Sequence, residues 1–254
     1  MTVHPVPVTA LTVAEFDLLW ELAELGETPL NLEIISSGAD WEERAHHRHA
    51  LLTGLATRGL IVHSGLDPAL REALVGLARF DWAVDARLWA TDGLVRAVGA
   101  VAGPQGTVAV RYGEEVRLGV LPDYAVAATL VELVGESDAG PGESVSVRAT
   151  ALDAARQTTT APGFADALTE SGEPAVVARK VAHMLGTVRR GGQFGVTVRD
   201  RGLGLRRAPR VVAFHDTDQG RYVHVRRDGW ATITPGGSRQ LLAQVRALVD
   251  EQRG

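Results

Sequence analysis

A chain of 254 residues without a cysteine excludes disulfides, thiolate metal sites and a cysteine nucleophile, and at this length roughly 70% of the unfolded surface can be buried without any such staple. The formal net charge of −5 argues against bulk nucleic-acid binding, although residues 189–228 hold ten arginines against four aspartates, a local +6 that leaves −11 elsewhere. The first ten residues lack the apolar core of a signal peptide, and the most apolar later stretch, Leu94 to Ala102, is broken by Arg96 and far short of the roughly 20 residues of a membrane span, so a cytoplasmic protein with no membrane insertion is expected.

In chain order, Thr12 and Glu15 have capping-box spacing, and Val13, Phe16, Leu19, Trp20 and Ala23 recur at three and four, which predicts a helix to about Glu24 ended by Gly26. Leu30 to Ile35 alternates as a short strand. Asp40 is placed to cap a second helix through Arg58, with Gly59 after it, and Leu60 to His63 reads as a strand.

From Asp67 the pattern is repeated. Asp67-Pro68 opens a helix with an acidic cap and a proline at the first helical position, and Glu173-Pro174 does the same 106 residues later. Trp82, Val84, Ala86 and Leu88 alternate with polar residues as a half-buried strand, matched by Phe194, Val196 and Val198. Next come a hairpin, a proline and a helix: Thr107 to Arg111, Val116 to Leu121 and Tyr124 to Val134 in one copy; Arg221 to Arg226, Trp230 to Thr234 and Arg239 to Glu251 in the other. Short turns at Gly103 to Gly106 and Asp216 to Gly220 make neighbours antiparallel. The expected fold is α+β: a central antiparallel β-sheet flanked by two helical bundles, with a quasi-two-fold internal repeat. We expect one domain over residues 1–254, with diverged halves at about 67–135 and 173–251 and N-terminal helices at 12–58. Residues 135–144 and 157–163 read as loops, with short helices at 149–156 and 164–171.

Clusters that could carry chemistry are weak. Glu42, Glu43, His46, His47 and His49 have the wrong order for a zinc helix and lack a third ligand, so they read as a solvated face. Asp216, Asp218 and Gly220 begin like a calcium loop but lack its closing glutamate, which leaves a hairpin turn. Gly191, Gly192, Gly195, Gly202 and Gly204 do not follow a strand and open a helix, so they read as turn glycines rather than a phosphate cradle. No serine sits in a nucleophile elbow. The expectation is no enzyme, with no catalytic residue, cofactor or metal. The arginine-rich stretch lacks the interleaved aromatics of single-strand binders; a nucleic-acid-binding or regulatory module built on it is the alternative reading.

The segments at Leu11 to Trp20 (LTVAEFDLLW), Gly26 to Leu30 (GETPL), Arg189 to Asp200 (RRGGQFGVTVRD), Pro209 to Tyr222 (PRVVAFHDTDQGRY) and Trp230 to Pro235 (WATITP) together resemble the EspG family of type VII (ESX) secretion-associated proteins, in the same order along the chain. The resemblance implies a cytosolic chaperone that binds a secreted helical protein, a PE–PPE-like heterodimer or a WXG-type protein, and keeps it soluble for export. It also implies partner contact through the loop between the second and third strands and through the helical bundle of the C-terminal half. Here these correspond to Ala102 to Thr107 and Phe164 to Arg190, and the partner-binding residues so implied are Gly103, Gln105, Thr107, Leu168, Val177, Val181, Met184 and Arg190.

Overall fold

The computed structural model describes residues 9–34, 41–63, 65–90, 93–158, 160–200, 202 and 204–254. The chain passes twice through one order of elements. The first pass is an edge strand β1 (Thr9–Thr12), helices α1 (Val13–Leu22) and α2 (Trp41–Thr57), a small hairpin of β2 (Ile61–Val62) and β3 (Gly65–Leu66), helix α3 (Pro68–Ala78), a meander of β4 (Trp82–Ala90), β5 (Gly93–Ala102), β6 (Gln105–Tyr112) and β7 (Glu115–Pro122), and helix α4 (Val126–Glu132). The second is an edge strand β8 (Val145–Arg148), helices α5 (Ala149–Ala155), α6 (Ala161–Glu170) and α7 (Ala175–Leu185), strand β9 (Val188–Asp200), a short β10 (Gly204–Arg207), then β11 (Val212–Thr217), β12 (Gly220–Arg227) and β13 (Trp230–Pro235), and helix α8 (Ser238–Arg253).

The two passes share one antiparallel sheet, ordered β1-β7-β6-β5-β4-β9-β11-β12-β13-β8, with β10 paired to the far end of β9. The halves meet where β4 pairs with β9. Val84 lies opposite Val196, 112 residues on, and 112 is also the spacing at which the two strand patterns repeat. A two-fold axis normal to the sheet passes there, because only on such an axis does a residue pair with its own counterpart. Each edge strand, β1 and β8, closes the last strand of its own meander, so the sequence reading, which began each copy at a helix, missed the strand that opens it.

Alternation along the strands sorts side chains to two faces. On one face α4 and α8 cover a single core that runs across the seam, with Val84, Ala86, Phe194, Val196, Phe214, Val223, Leu130 and Val245 all buried. On the other face each half has its own core: α1 to α3 cover β5 to β7 through Phe16, Leu19, Leu74, Ala109 and Leu118, and α5 to α7 cover β8, β12 and β13 through Val147, Leu168, Val181, Tyr222 and Ile233.

Local chemistry explains most starts and stops. Thr12 Oγ1 accepts from the Glu15 N–H and the Glu15 carboxylate accepts from the Thr12 N–H, at 3.1 and 2.8 Å, a reciprocal cap contributing about 1 kcal/mol. Asp67 caps α3 through the Leu70 N–H at 2.9 Å. Glu173 does not repeat that role. Pro174 occupies the cap position of α7, and Glu173, buried, instead accepts from the backbone and side chain of Arg148 at the end of β8. Asp40, expected to cap α2, lies outside the described residues.

The strand expected at Leu30 to Ile35 is a 3-10 turn at Leu30–Leu32 followed by Glu33 at φ 49; Ile35 is outside the described residues. The reason is a clamp. Arg87, Arg96 and Arg111 stand side by side on β4, β5 and β6; the first two hold the Glu33 carboxylate, and Arg111 donates to the Leu32 and Glu33 carbonyls. Asn31 donates to the Ala97 carbonyl at 2.8 Å. The segment is tied across the sheet face and has no strand edge to join.

Candidate protein-binding face

Between the two helical bundles the middle of the sheet is uncovered on one face. Asp85, Arg87 and Trp89 of β4 project there, opposite Gly195, Gln193 and Gly191 of β9. Trp89 is 45% exposed, and Gln193 and Arg87 also face solvent. Gly191, Gly192 and Gly195 were expected in turns, but they stand inside β9, where side chains cross Gly191 and Gly195 on this face and Gly192 packs closely against β4 on the other. A Cβ on Gly191 would come within 2.7 Å of the Trp89 ring, one on Gly192 within 2.7 Å of the Arg87 carbonyl oxygen, and one on Gly195 within 2.8 Å of the Asp85 carboxylate. Arg207 reaches over Gly195 to make a two-pronged pair with Asp85 at 2.6 and 3.0 Å, the geometry in which guanidinium and carboxylate fit best. The strip therefore offers one aromatic platform among paired charges and amides.

The residues implied by resemblance are divided between the two sides of this strip. Gly103 is exposed in the tight β5–β6 turn, where its N–H donates to Asp81 at 2.9 Å; Gln105 is half-buried. Thr107 is buried, its hydroxyl packed where Gly76 of α3 leaves room. On the other side, Leu168, Val181 and Met184 point inward and form the third core with Phe164 and Ala178. Their apolar character is accounted for by packing, and none is at the surface. Val177 is half-buried, while Val176 and Val188, which the sequence reading did not single out, are 58% and 36% exposed. Arg190 is half-buried at the start of β9 and bound to Asp216 at 2.5 Å and to the Glu136 carbonyl at 3.1 Å.

The second half of the sheet carries polar groups on both faces, with an ion pair on the face that α4 and α8 cover. Arg221 is fully buried; its Nε and Nη2 donate to Asp216 at 2.7 and 2.9 Å, its other contacts are Ser238 Oγ and the Gly135 carbonyl, and its guanidinium lies 5.1 Å from the Phe214 ring centre. Burial opposes ionisation of Asp216, but the hydrogen bonds from Arg221 and Arg190 outweigh it and hold the carboxyl below the usual range. Asp216 was expected as a turn residue; the turn is Asp218-Gln219, and Asp216 belongs to the core. On the opposite sheet face His215 and His224 meet at 2.6 Å, with His215 stacked on Tyr222 and Tyr222 donating to the Pro141 carbonyl.

The arginine-rich stretch is engaged with the protein itself. Arg201 is outside the described residues. The other nine all have protein partners: Arg189, Arg190, Arg207, Arg210, Arg221, Arg226 and Arg227 pair with Asp218, Asp216, Asp85, Glu251, Asp216, Asp153 and Glu251, Arg199 donates to the Phe80 and Ala78 carbonyls, and Arg206 to Gln252. Three acids from other parts of the chain, Asp85, Asp153 and Glu251, offset part of the local excess of positive charge, which sequence windows cannot register. Of the histidine cluster, His47 and His49 are exposed on α2, and the side chains of Glu42, Glu43 and His46 are outside those described. Among the described residues no helix is long and apolar enough to cross a membrane.

A model of the EspG family matches residues 12–247. The fold is similar to that of a Mycobacterium tuberculosis type VII secretion system chaperone, EspG5, solved in complex with a PE25-PPE41 dimer, at 17% identity and a TM-score of 0.75, covering 96% of each chain. A search of the curated proteins finds no match.

Proposed function

This chain belongs to the EspG family, and from that premise we propose that it is a cytoplasmic export chaperone that binds a secreted helical protein, a PE–PPE-like heterodimer in the first instance, with no catalytic step of its own. The observation that carries this reading is the family match over residues 12–247, joined to a shared fold, over 96% of both chains, with a chaperone captured on such a dimer. The open strip between the bundles adds a physical basis: exposed Trp89 is the kind of aromatic anchor, rimmed by polar groups, that carries most of an interface's energy, and the second half exposes Val176 and Val188 besides. We assign Gly103, Gln105, Val177 and Arg190 to the contact and Thr107, Leu168, Val181 and Met184 to the packing that holds it in shape. An interface of roughly 1,600 Å² suffices for a complex that survives purification.

The test is co-expression with the secreted proteins encoded beside this gene, followed by size-exclusion chromatography. A stable complex of equal stoichiometry is expected; Trp89→Ala weakens it at least tenfold while leaving the melting temperature of the free chain within 2 °C. Absence of a complex with every neighbouring candidate overturns the reading. The regulatory or nucleic-acid alternative predicts binding that falls steeply with salt, and the internal pairing of the arginines gives it no support.

A further inference from the structure

Two imidazoles under the second bundle, His215 buried and His224 half-buried, take no part in the proposed binding, and their hydrogen bonds determine how many protons they can hold. His215 Nε2 is 2.9 Å from the carbonyl oxygen of Met184, in the last turn of α7, and its Nδ1 is 2.6 Å from His224 Nε2, the rings meeting edge-on at 89°. A carbonyl only accepts, so His215 carries its hydrogen on Nε2 and offers a lone pair at Nδ1; the hydrogen between the rings therefore belongs to His224. The pair in this geometry takes one further proton, on His224 Nδ1. A second must go onto His215 Nδ1, which sets N–H against N–H across 2.6 Å, and the rings have to separate. His215 also holds Met184, so displacement of the His215 ring frees the end of α7.

The surroundings determine how hard that is. Arg156 at the end of α5 opposes protonation of both rings, and Arg226, further along β12 and itself paired with Asp153 of α5, opposes that of His224. Asp216, next to His215 on β11 but committed to Arg190 and Arg221, is the acid that favours it. Tyr222 stacks on His215 as a neutral phenol; the Met184 carbonyl of α7, which accepts from His215, favours protonation of that ring more than Asp216 does, and His183 of α7 is exposed. We propose that His215 and His224 form a proton-operated latch on the last turn of α7, closed while the pair holds at most one added proton and open when it holds two.

Burial, the largest influence on both rings, lowers their proton affinity below the ordinary histidine value of about 6.5. The sign follows: the unfolded or opened chain binds more protons than the closed one below about pH 6.5, so the closed state is fully favoured above that pH and loses ground as pH falls, by up to about 100-fold per pH unit when two protons are taken up.

Hydrogen exchange of the full chain from pH 7.5 to 5.0, corrected for intrinsic rates, tests the latch. Amides in the last turn of α7 should lose at least tenfold more protection over that range than those of α4, and His224→Gln, whose amide can donate the same bond without titrating, should flatten the difference. NMR titration of the wild-type rings provides a second readout that does not depend on the variant folding, and both rings should titrate below the ordinary histidine value. Equal pH dependence of α7 and α4, or titration of both rings at ordinary values, overturns the proposal. That α7 also carries contact residues for a cargo rests on the export-chaperone reading. A latch that opens in a chain binding no cargo upholds the latch and removes only that reading.

Discussion

The two copies bury the same positions with opposite chemistry. Counted from their turns, the β5–β6 and β11–β12 hairpins are equivalent: Val101 opposite Gly106 in the first corresponds to Asp216 opposite Arg221 in the second, and Ala100 opposite Thr107 corresponds to His215 opposite Tyr222. All eight positions are buried. The first copy fills them with small, mostly apolar side chains and keeps its arginines for clamping a loop at the surface; the second fills them with an ion pair, an imidazole and a phenol. Duplication therefore preserved burial and register, while the interior was free to become polar wherever each new donor found an acceptor. The first bundle is held to the sheet by apolar packing and by an arginine clamp, the second also by a pair of histidines.

That contrast can be broken most forcefully at Asp216. Asp216→Ala leaves the buried Arg221 guanidinium without its counter-charge and should cost about 3–5 kcal/mol in urea denaturation, whereas a double change to Asp216→Val with Arg221→Met, which makes the second hairpin resemble the first, should recover most of the loss. If the double variant is no better than the single, the two interiors are not interchangeable. A smaller effect separates packing from contact within the second bundle. Leu168→Ala should cost about 2–4 kcal/mol with cargo affinity unchanged under conditions where it stays folded, while Val176→Ser, at an exposed position of α7, should change stability by less than about 0.5 kcal/mol and weaken cargo capture. The smallest is Arg207→Gln, which opens the half-exposed pair over Gly195; a shift of about 0.5 kcal/mol is expected, shrinking further in high salt.

Elements whose evidence is local were legible in the chain. The Thr12 and Glu15 box, the Asp67-Pro68 start and the alternation from Trp82 to Leu88 each rest on residues within one or two turns of one another, so the helices and meanders could be written down in order. The edge strands β1 and β8 were not, because four residues carry too short an alternation and become strands only when β7 and β13 offer them an edge. The partner-binding positions were legible only as segments. Apolar residues on α6 and α7 look alike whether they face a core or a partner, and the orientation of the bundle on the sheet puts Leu168, Val181 and Met184 inside.

What the amino-acid order determined by itself is the fold class, the duplication and the family, since periodicity, caps and turn residues are short-range and survive divergence in register. What only the tertiary structure decided is where the charges and glycines act. Arg221 and Arg207 find acids on their own hairpin or across the sheet seam, Gly191 and Gly195 make room for groups from the other half, and His215 meets His224 and the end of α7. The contacts across the seam close only when both halves share one sheet, and those within the second half only when β11 pairs with β12 and α7 docks on them.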